Sequence, residues 1–424
     1  MLDIRLIREQ PDIVKHGLER IGADVTLVDQ VLALDEERRR IETVAGEMRN
    51  RRNVGSKKIG AMNEAADREA LKDEMRELGD RISEIESQLD EINARQQALM
   101  LGIPNLPDPR VPDGTSDDDN VLIRSGGEQR SFDFTPRPHW EVGANLGILD
   151  IERGVKISGS RFYVLLGAGA ALQRALITWF LDLHITRHGY TEVYPPFIVK
   201  SECLIGTGQL PKFADTMYRD AEEDFWLVPT AEVPVTNLHR DEILDDSVLP
   251  IKYVAYTPCF RREKMSAGRD VRGIKRGHQF DKVEMVRICR PSDSDAALDD
   301  LVNDAEDICK ALDVPYRTVL VCTAEKTATN RLQYDLQMYA PGVGEWLEVS
   351  SCSNFGDYQA RRANIRYRPE GGGKPEFVHT LNGSGLALPR VVISILENYQ
   401  NADGSVTVPE VLRPYMRGCG VITN

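Results

Sequence analysis

Apolar residues recur at heptad spacing over residues 27–101, a stretch that contains no proline. Alternating steps of four and three are typical of helices that pack along a seam. The pattern fails at residues 60–63, so we predict two helices folding back as an antiparallel coiled coil, each roughly 45–50 Å long at 1.5 Å per residue. The first seam comprises Leu27, Val31, Leu34, Ile41, Ala45, Met48 and Ile59, with missing steps at Arg38, Arg52 and Gly55, and the second comprises Leu71, Met75, Leu78, Ile82, Ile85, Leu89 and Ile92.

A proline-rich segment follows the second helix. Pro104, Pro107, Pro109 and Pro112 lie within nine positions, and no helix continues through such a run. We therefore place a boundary near residues 102–120. The prediction is an N-terminal helical domain, 1–110, with short helices in its first 26 residues, and a second domain, 111–424.

The second domain has a mixed pattern. Residues 170–188 have helical spacing and end before Gly189, whereas several later β-rich runs are separated by turns more often than by helices. This favours an α+β fold with a largely antiparallel sheet flanked by helices. No glycine-rich loop of the dinucleotide-binding or P-loop kind is present. The runs are 225–228, 253–256, 283–288, 316–321, 346–349 and 365–367.

Composition narrows the class of protein. Among 424 residues, 53 are basic and 67 acidic, a formal charge of -14 that excludes a wholly basic nucleic-acid coat. The seven cysteines form no Cys-x-x-Cys pair, which argues against a disulfide framework and against a zinc site. The longest apolar run, 163–172, is too short to span a bilayer. We expect a cytoplasmic protein with no membrane partner.

Charge is uneven along the first predicted helix. Between residues 38 and 58 there are eight basic side chains and two acidic ones. Such a surface suits a phosphate backbone, but it is also typical of a solvated face that pairs with the acids of the second helix, and charge alone favours neither. The basic residues are Arg38, Arg39, Arg40, Arg49, Arg51, Arg52, Lys57 and Lys58.

Candidate chemistry is concentrated in one predicted β-hairpin. Phe260-Arg261-Arg262-Glu263 precedes a cationic loop, and residues 276–284 follow it. Arginine can clamp a phosphate with two hydrogen bonds, an aromatic ring can stack on a base, and a carboxylate can accept from an exocyclic amine. A salt-bridged surface hairpin is the alternative.

These residues resemble motif 2 of the class II aminoacyl-tRNA synthetases. Residues 189–197 resemble motif 1 and residues 382–390 resemble motif 3, in the family's order. Thr230-Ala231-Glu232, together with residues 206–211 and 348–354, is similar to seryl-tRNA synthetases of bacterial type. The resemblance covers essentially the whole chain.

The resemblance implies a homodimeric ligase that activates L-serine with ATP and transfers it to tRNA(Ser), and to tRNA(Sec) as well. Its helical arm would bind tRNA, and Mg²⁺ would accompany ATP. The implied catalytic residues are Arg261, Glu263 and Arg390. Those implied for ATP are Arg261, Arg262, Glu263, Arg276, Phe280, Glu348, Val349, Ser350, Ser351 and Arg390, with Glu348 and Ser351 as Mg²⁺ ligands. Those implied for serine are Thr230, Ala231, Glu232, Arg261, Glu284 and Ser384, and those for tRNA are Arg38, Arg49, Arg51, Arg52, Lys57 and Lys58.

Three positions depart from the family pattern. Lys264-Met265 replaces the usual Ala-Gly, Gln337 replaces a Glu, and Pro389 replaces a Gly. Two rival functions fit the residues less well. A paralogue that acylates a different acceptor should lack the long helical hairpin, which this chain keeps. A catalytically inactive RNA-binding protein should have lost some of Arg261, Glu263, Glu348 or Arg390, and all four are present.

Overall fold

The structure is a computed structural model that describes residues 1–62, 64–264 and 272–424. The chain divides into two compact units, Leu2–Pro104 and Asn105–Asn424, the second of which includes Met1. The helices are α1 (Ile4–Glu9), α2 (Pro11–Arg20), α3 (Thr26–Ala61), α4 (Ala65–Gly102), α5 (His139–Asn145), α6 (Ile151–Ser158), α7 (Gly167–Thr186), α8 (Ser201–Thr207), α9 (Glu232–Thr236), α10 (Ser294–Ala311), α11 (Tyr358–Ala363) and α12 (Leu388–Asn398).

The strands are β1 (Val121–Gly126), β2 (Leu149–Asp150), β3 (Val164–Leu165), β4 (Thr191–Glu192), β5 (Ile198–Val199), β6 (Trp226–Leu227), β7 (Ile243–Asp245), β8 (Ile251–Phe260), β9 (Gln279–Cys289), β10 (Tyr316–Leu320), β11 (Leu332–Ala340), β12 (Glu345–Gly356), β13 (Arg366–Arg368), β14 (Glu376–Phe377), β15 (His379–Ala387), β16 (Val406–Thr407) and β17 (Val421–Ile422).

The smaller unit contains the predicted pair of long helices. Ion pairs join Arg49 to Glu86 and Arg51 to Glu74, so α3 and α4 run in opposite directions. They have 36 and 38 residues, about 54 and 57 Å at 1.5 Å per residue. Both exceed the expected length because they continue beyond the apolar seam. Asn63, which falls in the predicted break, lies outside the described residues.

Close packing along the seam explains one missing heptad step. A Cβ atom on Gly55 would lie 2.1 Å from Met75 Sδ, so only glycine lets the helices approach with Met75 in this position. Nearer the other end, Val31 and Ala45 are fully buried. There Asp35 is 2% exposed and accepts hydrogen bonds from Arg8 of α1 at 2.8 and 3.0 Å. Short helices therefore pack against the base of the pair, as predicted.

An eight-stranded sheet organises the larger unit, in the order β1-β10-β11-β12-β15-β9-β8-β4. Neighbouring strands are antiparallel except for β4 and β8. The predicted α+β fold with a largely antiparallel sheet is confirmed. The six predicted β-rich runs all contain strand residues, whereas four strands of this sheet, β1, β4, β11 and β15, were not foreseen.

Helices α7, α10 and α12 cover the apolar core of this unit. Phe180, Leu301 and Ile393 are fully buried members of one continuous cluster. Pro389 occupies the first turn of α12, where the absent N–H costs no helical hydrogen bond. In the part of the chain that the structure describes, no helix combines the length and apolar character needed to cross a bilayer.

Candidate active site

A cavity of about 970 Å³ opens on the face of the large sheet. Its walls come from strands β9 to β12 and β15, and from segments that precede and follow them. Residues from the stretches that resemble motifs 2 and 3 and from the Thr230 segment meet there, whereas residues 189–197, which resemble motif 1, do not line the cavity. The predicted residues that line the cavity are Thr230, Glu232, Arg261, Glu263, Arg276, Phe280, Glu284, Glu348, Val349, Ser351, Ser384 and Arg390.

The hairpin formed by β8 and β9 positions Arg261 and Phe280. Cys259 pairs with Phe280 across the two strands, and the Arg261 guanidinium lies 5.2 Å from the Phe280 ring centroid. Arg261 Nε donates to the Pro229 carbonyl at 3.2 Å. His278 Nδ1 lies 2.9 Å from the Arg261 carbonyl, to which it can only donate. These contacts hold the Arg261 backbone and side chain in one arrangement at the cavity wall.

Glu263 and Arg276 lie together at the ends of the described part of the motif 2 loop. Glu263 has a φ of 41°, a left-handed conformation, and its carbonyl accepts from Arg161 Nη1 at 2.6 Å. Arg276 Nη1 is 3.8 Å from Glu263 Oε2. The buried Nε of Arg276 has no hydrogen-bond partner among the described residues. An unsatisfied buried N–H favours an acceptor from a ligand, because leaving it unpaired is costly.

A buried polar network around Glu284 lines another part of the cavity. This carboxylate is 1% exposed. It accepts from Asn382 at 2.8 Å and from Ser384 at 3.3 Å. Lys282 Nζ lies 2.5 Å from its second oxygen. The predicted Ser384 therefore meets Glu284, while Lys282 and Asn382, which lie inside the quoted motifs, had not been assigned a role.

A second buried carboxylate, Glu232, is less fully paired. Gln359 donates to Glu232 Oε1 at 2.6 Å, and Gln359 in turn accepts from Thr380 at 2.7 Å. Burial, and then the negative charge of Glu284, raise the pKa of Glu232 to about 7. Thr230 Oγ1 accepts from the Glu232 backbone N–H at 3.3 Å. Gln359 was missed because its role depends on a contact between distant parts of the chain.

A group of oxygen donors lies at another wall of the cavity, on β11 and β12. Arg390 Nη1 is 3.3 Å from Glu348 Oε2 and donates to the Glu348 carbonyl at 2.5 Å. Ser351 is opposite Asp335 in the strand register. Burial, followed by the nearby Glu348, raises the pKa of Asp335. Asp335 was not among the predicted site residues, although polar and apolar residues alternate along its strand, β11.

These donors fit a hard cation. The carboxylate of Glu348 and the hydroxyl of Ser351 are oxygen ligands of the kind Mg²⁺ prefers, and the Glu348 side chain is 46% exposed toward solvent. No cluster of three or more His, Cys, Asp or Glu side chains suited to a metal occurs in residues 1–62, 64–264 and 272–424. All seven cysteines are free thiols.

Three predicted residues lie beside the cavity and do not line it. Ala231 is fully buried in a small apolar cluster with Val235. The Ser350 hydroxyl donates to the Ser384 carbonyl at 2.6 Å. The Arg262 guanidinium lies 5.9 Å from the Tyr218 ring centroid. Of the Lys264-Met265 pair that replaces the family's Ala-Gly, Lys264 lines the cavity. Met265 is outside the described residues.

The basic residues of α3 have two different environments. Arg38 pairs with Asp35 and Glu42, and Arg49 and Arg51 pair with acids of α4. Arg52, Lys57 and Lys58 are exposed and have no ion pair to the described residues. Some of the charge is therefore neutralised within the hairpin and some remains, while binding of a phosphate backbone stays a prediction.

Two family models match the chain. Residues 1–107 match the seryl-tRNA synthetase N-terminal domain, and residues 213–399 match the tRNA synthetase class II core domain (G, H, P, S and T). A serine–tRNA ligase of Roseiflexus sp. (strain RS-1) is 61% identical over 422 residues, which covers 100% of this chain and 99% of that protein.

The chain belongs to the seryl-tRNA synthetase family. This synthetase is also 60% identical to a serine–tRNA ligase of Chloroflexus aurantiacus (strain J-10-fl), over 99% of both chains. Among solved structures it is similar to the seryl-tRNA synthetase of Pyrococcus horikoshii complexed with ATP, with a TM-score of 0.93 and 38% identity over 100% of this chain and 99% of that one. The class II fold inferred from the three motifs is thus confirmed.

Proposed function

We propose that this synthetase activates L-serine with ATP, releases pyrophosphate, and transfers the seryl group to the 3′-terminal adenosine of tRNA(Ser). The observation that carries this proposal is the meeting of Arg261, Glu232, Glu284, Glu348 and Arg390 in one cavity. Membership of the family, with full-length relatives at about 60% identity, supports the same activity. Charging of tRNA(Sec) stays a prediction.

Activation needs alignment and charge neutralisation more than a protein nucleophile. The serine carboxylate attacks the α-phosphorus of ATP, a P–O bond to the β-phosphate breaks, and pyrophosphate leaves. Two anionic groups must approach each other, so a fixed guanidinium between them lowers the barrier. Arg261 takes this role in our proposal, because its Nε is anchored to Pro229 and its two Nη groups remain for substrate.

The serine pocket consists of Thr230, Glu232, Glu284 and Ser384. Glu284 already accepts from Asn382 and Ser384 and pairs with Lys282, whereas Glu232 accepts from Gln359 on one oxygen. We assign the α-ammonium of serine to Glu232 for this reason. A pocket of buried polar groups disfavours alanine, which would leave those groups unpaired. Ala231 and Arg261 complete the proposed serine site.

ATP is proposed to lie against the motif 2 hairpin and the start of α12. Phe280 would stack on adenine, and Glu263 would accept from the adenine amine. Arg276 and Arg390 would bind the β- and γ-phosphates, which agrees with the unsatisfied Nε of Arg276. Arg262, Val349 and Ser350 would contribute through backbone or neighbouring contacts. The similar Pyrococcus enzyme was solved with ATP bound.

Glu348 and Ser351 are the proposed Mg²⁺ ligands. When bound, the cation would neutralise phosphate charge during departure of pyrophosphate. Arg390 holds the Glu348 carboxylate from one side, and the Ser351 hydroxyl faces Asp335 across the strand pair. We expect no zinc requirement.

The helical unit is proposed to bind tRNA through its basic surface, which comprises Arg38, Arg49, Arg51, Arg52, Lys57 and Lys58. Recognition would rest on phosphate contacts and RNA shape. We further propose residues 1–110 as the tRNA-binding domain and 111–424 as the catalytic domain of a cytoplasmic homodimer. Analytical ultracentrifugation would test the dimer directly.

Serine-dependent exchange of labelled pyrophosphate into ATP tests the activity. We expect exchange with serine at least 100-fold faster than with alanine, since discrimination by buried hydrogen-bonding groups commonly exceeds about 10⁴-fold. The assay should be run with serine, alanine, threonine and glycine in parallel. An absence of exchange at saturating serine would exclude the proposed ligase.

The affinity for serine is expected to fall in mild acid. The pKa of Glu232 is about 7, so the ionised fraction drops from about nine-tenths at pH 8 to about one-tenth at pH 6. Since the ammonium of serine binds the ionised form, the Kd of serine should rise about tenfold over that interval. Calorimetric titration with serine at pH 6, 7 and 8 measures this.

The matched variant for that titration is Glu232→Gln. It keeps the shape of the side chain and removes the titrating group, so its weaker serine binding should be nearly independent of pH. A flat profile in the parent protein would contradict the assignment of Glu232 to the ammonium.

A further inference from the structure

A row of four side chains crosses the cavity wall from β10 to α12. In the strand register Arg317 is opposite Gln337, and Gln337 is opposite Glu348. Arg390 then lies 3.3 Å from Glu348. All four residues line the same cavity. The row therefore carries a guanidinium at each end, with one carboxylate and one neutral amide between them.

Among the described residues, Arg317 is held in place by neutral groups alone. Its Nε donates to Gln337 Oε1 at 2.6 Å, and its guanidinium lies 4.8 Å from the centroid of the Trp346 ring. Trp346 packs in turn against Tyr339, with ring centroids 5.2 Å apart. These contacts fix the direction of the side chain without neutralising its charge.

The charge of Arg317 is uncompensated in the part of the chain that the structure describes. No carboxylate there lies within ion-pair distance of its guanidinium, and its Nη1 and Nη2 groups have no hydrogen bond to those residues. Partial burial lowers its pKa, with no opposing contribution from an acid. By contrast, Lys275 at the same cavity pairs with Glu345. A partly desolvated cation of this kind favours the entry of an anion, because ion pairing offsets the cost of desolvation.

Because the side chain of Gln337 is neutral, the positive charge of Arg317 remains available to a ligand. A carboxylate at position 337 would pair with Arg317 directly, and it would also lie beside Glu348. The amide instead accepts from Nε and leaves the planar fork of Nη groups open. A guanidinium fork matches the geometry of phosphate oxygens.

We propose that Arg317 binds the outer phosphates of ATP and the pyrophosphate that leaves, as a third arginine beside Arg276 and Arg390. This assignment rests on the proposed function for the location of the nucleotide. Adjacent strands are about 4.8 Å apart, so the Arg317 and Glu348 backbones are about 10 Å apart. A nucleotide held at Arg390 places its outer phosphates within that part of the cavity.

Two variants test the assignment from opposite directions. Arg317→Gln removes the cation, and Gln337→Glu keeps the cation but supplies an internal anion. The control is Arg219→Gln, since Arg219 likewise lies over a tryptophan, 5.5 Å from the Trp226 ring centroid, and does not line the cavity. Binding of inorganic pyrophosphate and of AMP is measured by calorimetry without divalent cation, so that no metal at Glu348 contributes.

We expect both Arg317→Gln and Gln337→Glu to raise the Kd of pyrophosphate about tenfold or more, the loss typical of one charged hydrogen-bonding group. AMP lacks the outer phosphates, so its Kd should not change, and Arg219→Gln should behave as the parent. Unchanged pyrophosphate binding in both variants, or an equal loss for AMP, would overturn the role of Arg317. Failure of the proposed function has a different signature, the absence of serine-dependent exchange in the parent protein.

Discussion

Arg261→Ala is expected to reduce serine-dependent pyrophosphate exchange by about 10³-fold, the upper range for loss of one preorganised donor at a developing charge. In the structure Arg261 is anchored through Nε to Pro229 at 3.2 Å and lies 5.2 Å from the Phe280 ring centroid. Without its guanidinium, the serine carboxylate and the α-phosphate would face each other with no positive charge between them. The rate of exchange at saturating substrates is the measurement.

Two further variants make that result interpretable. Arg261→Lys keeps a positive charge but loses the bidentate fork, so it should recover only part of the rate. Arg153→Ala is a control, because the Arg153 side chain is 73% exposed and does not line the cavity. Thermal unfolding of each variant confirms that folding is intact. An Arg261→Ala protein within tenfold of the parent rate would remove Arg261 from the proposed mechanism.

The second large effect is expected when basic residues of the helical hairpin are replaced. Replacing Arg52, Lys57 and Lys58 together by Ala should raise the KM for tRNA(Ser) about 100-fold at 0.15 M salt, since each lost phosphate contact costs about 0.7 log unit there. Pyrophosphate exchange should not change. Of the six residues proposed to bind tRNA, these three are exposed and have no ion pair to the described part of the chain, so their charge is available to RNA.

A matched triple variant on the other helix controls for general electrostatics. Arg68, Lys72 and Arg76 of α4 are also exposed, and the last two pair with Glu69 and Asp73. Replacing these by Ala removes the same number of charges and should change the KM far less. The slope of log affinity against log salt should fall for the α3 variant only. Equal effects from the two variants would assign tRNA binding to another surface.

Local patterns predicted the elements that depend on near neighbours in sequence. The heptad seams indicated α3 and α4 because helix packing repeats every few residues. The hairpin of β8 and β9 followed from two short β-rich runs around a cationic loop. β11 also alternates, with polar residues at Gln333, Asp335 and Gln337, so its strand pattern was available in the sequence and was overlooked.

β15 is a different case. Its centre contains Asn382, Gly383, Ser384 and Gly385, residue types of low strand propensity. The strand is stabilised by pairing with β12 on one side and β9 on the other. Propensity describes a residue and its immediate neighbours, so it cannot register two partner strands that arrive from elsewhere in the chain.

The sequence motifs were sufficient to indicate the family, the reaction and twelve of the residues that line the cavity, because those residue types carry the chemistry wherever they are placed. Tertiary contacts were needed to establish the charge, the pKa and the availability of each side chain. Gln359 reaches Glu232 across 127 positions, Arg49 meets Glu86 across 37, and the Arg317 side chain contacts Gln337 and Trp346. Charge, pKa and availability depend on the distance between groups in space, and chain folding sets that distance independently of their separation in sequence.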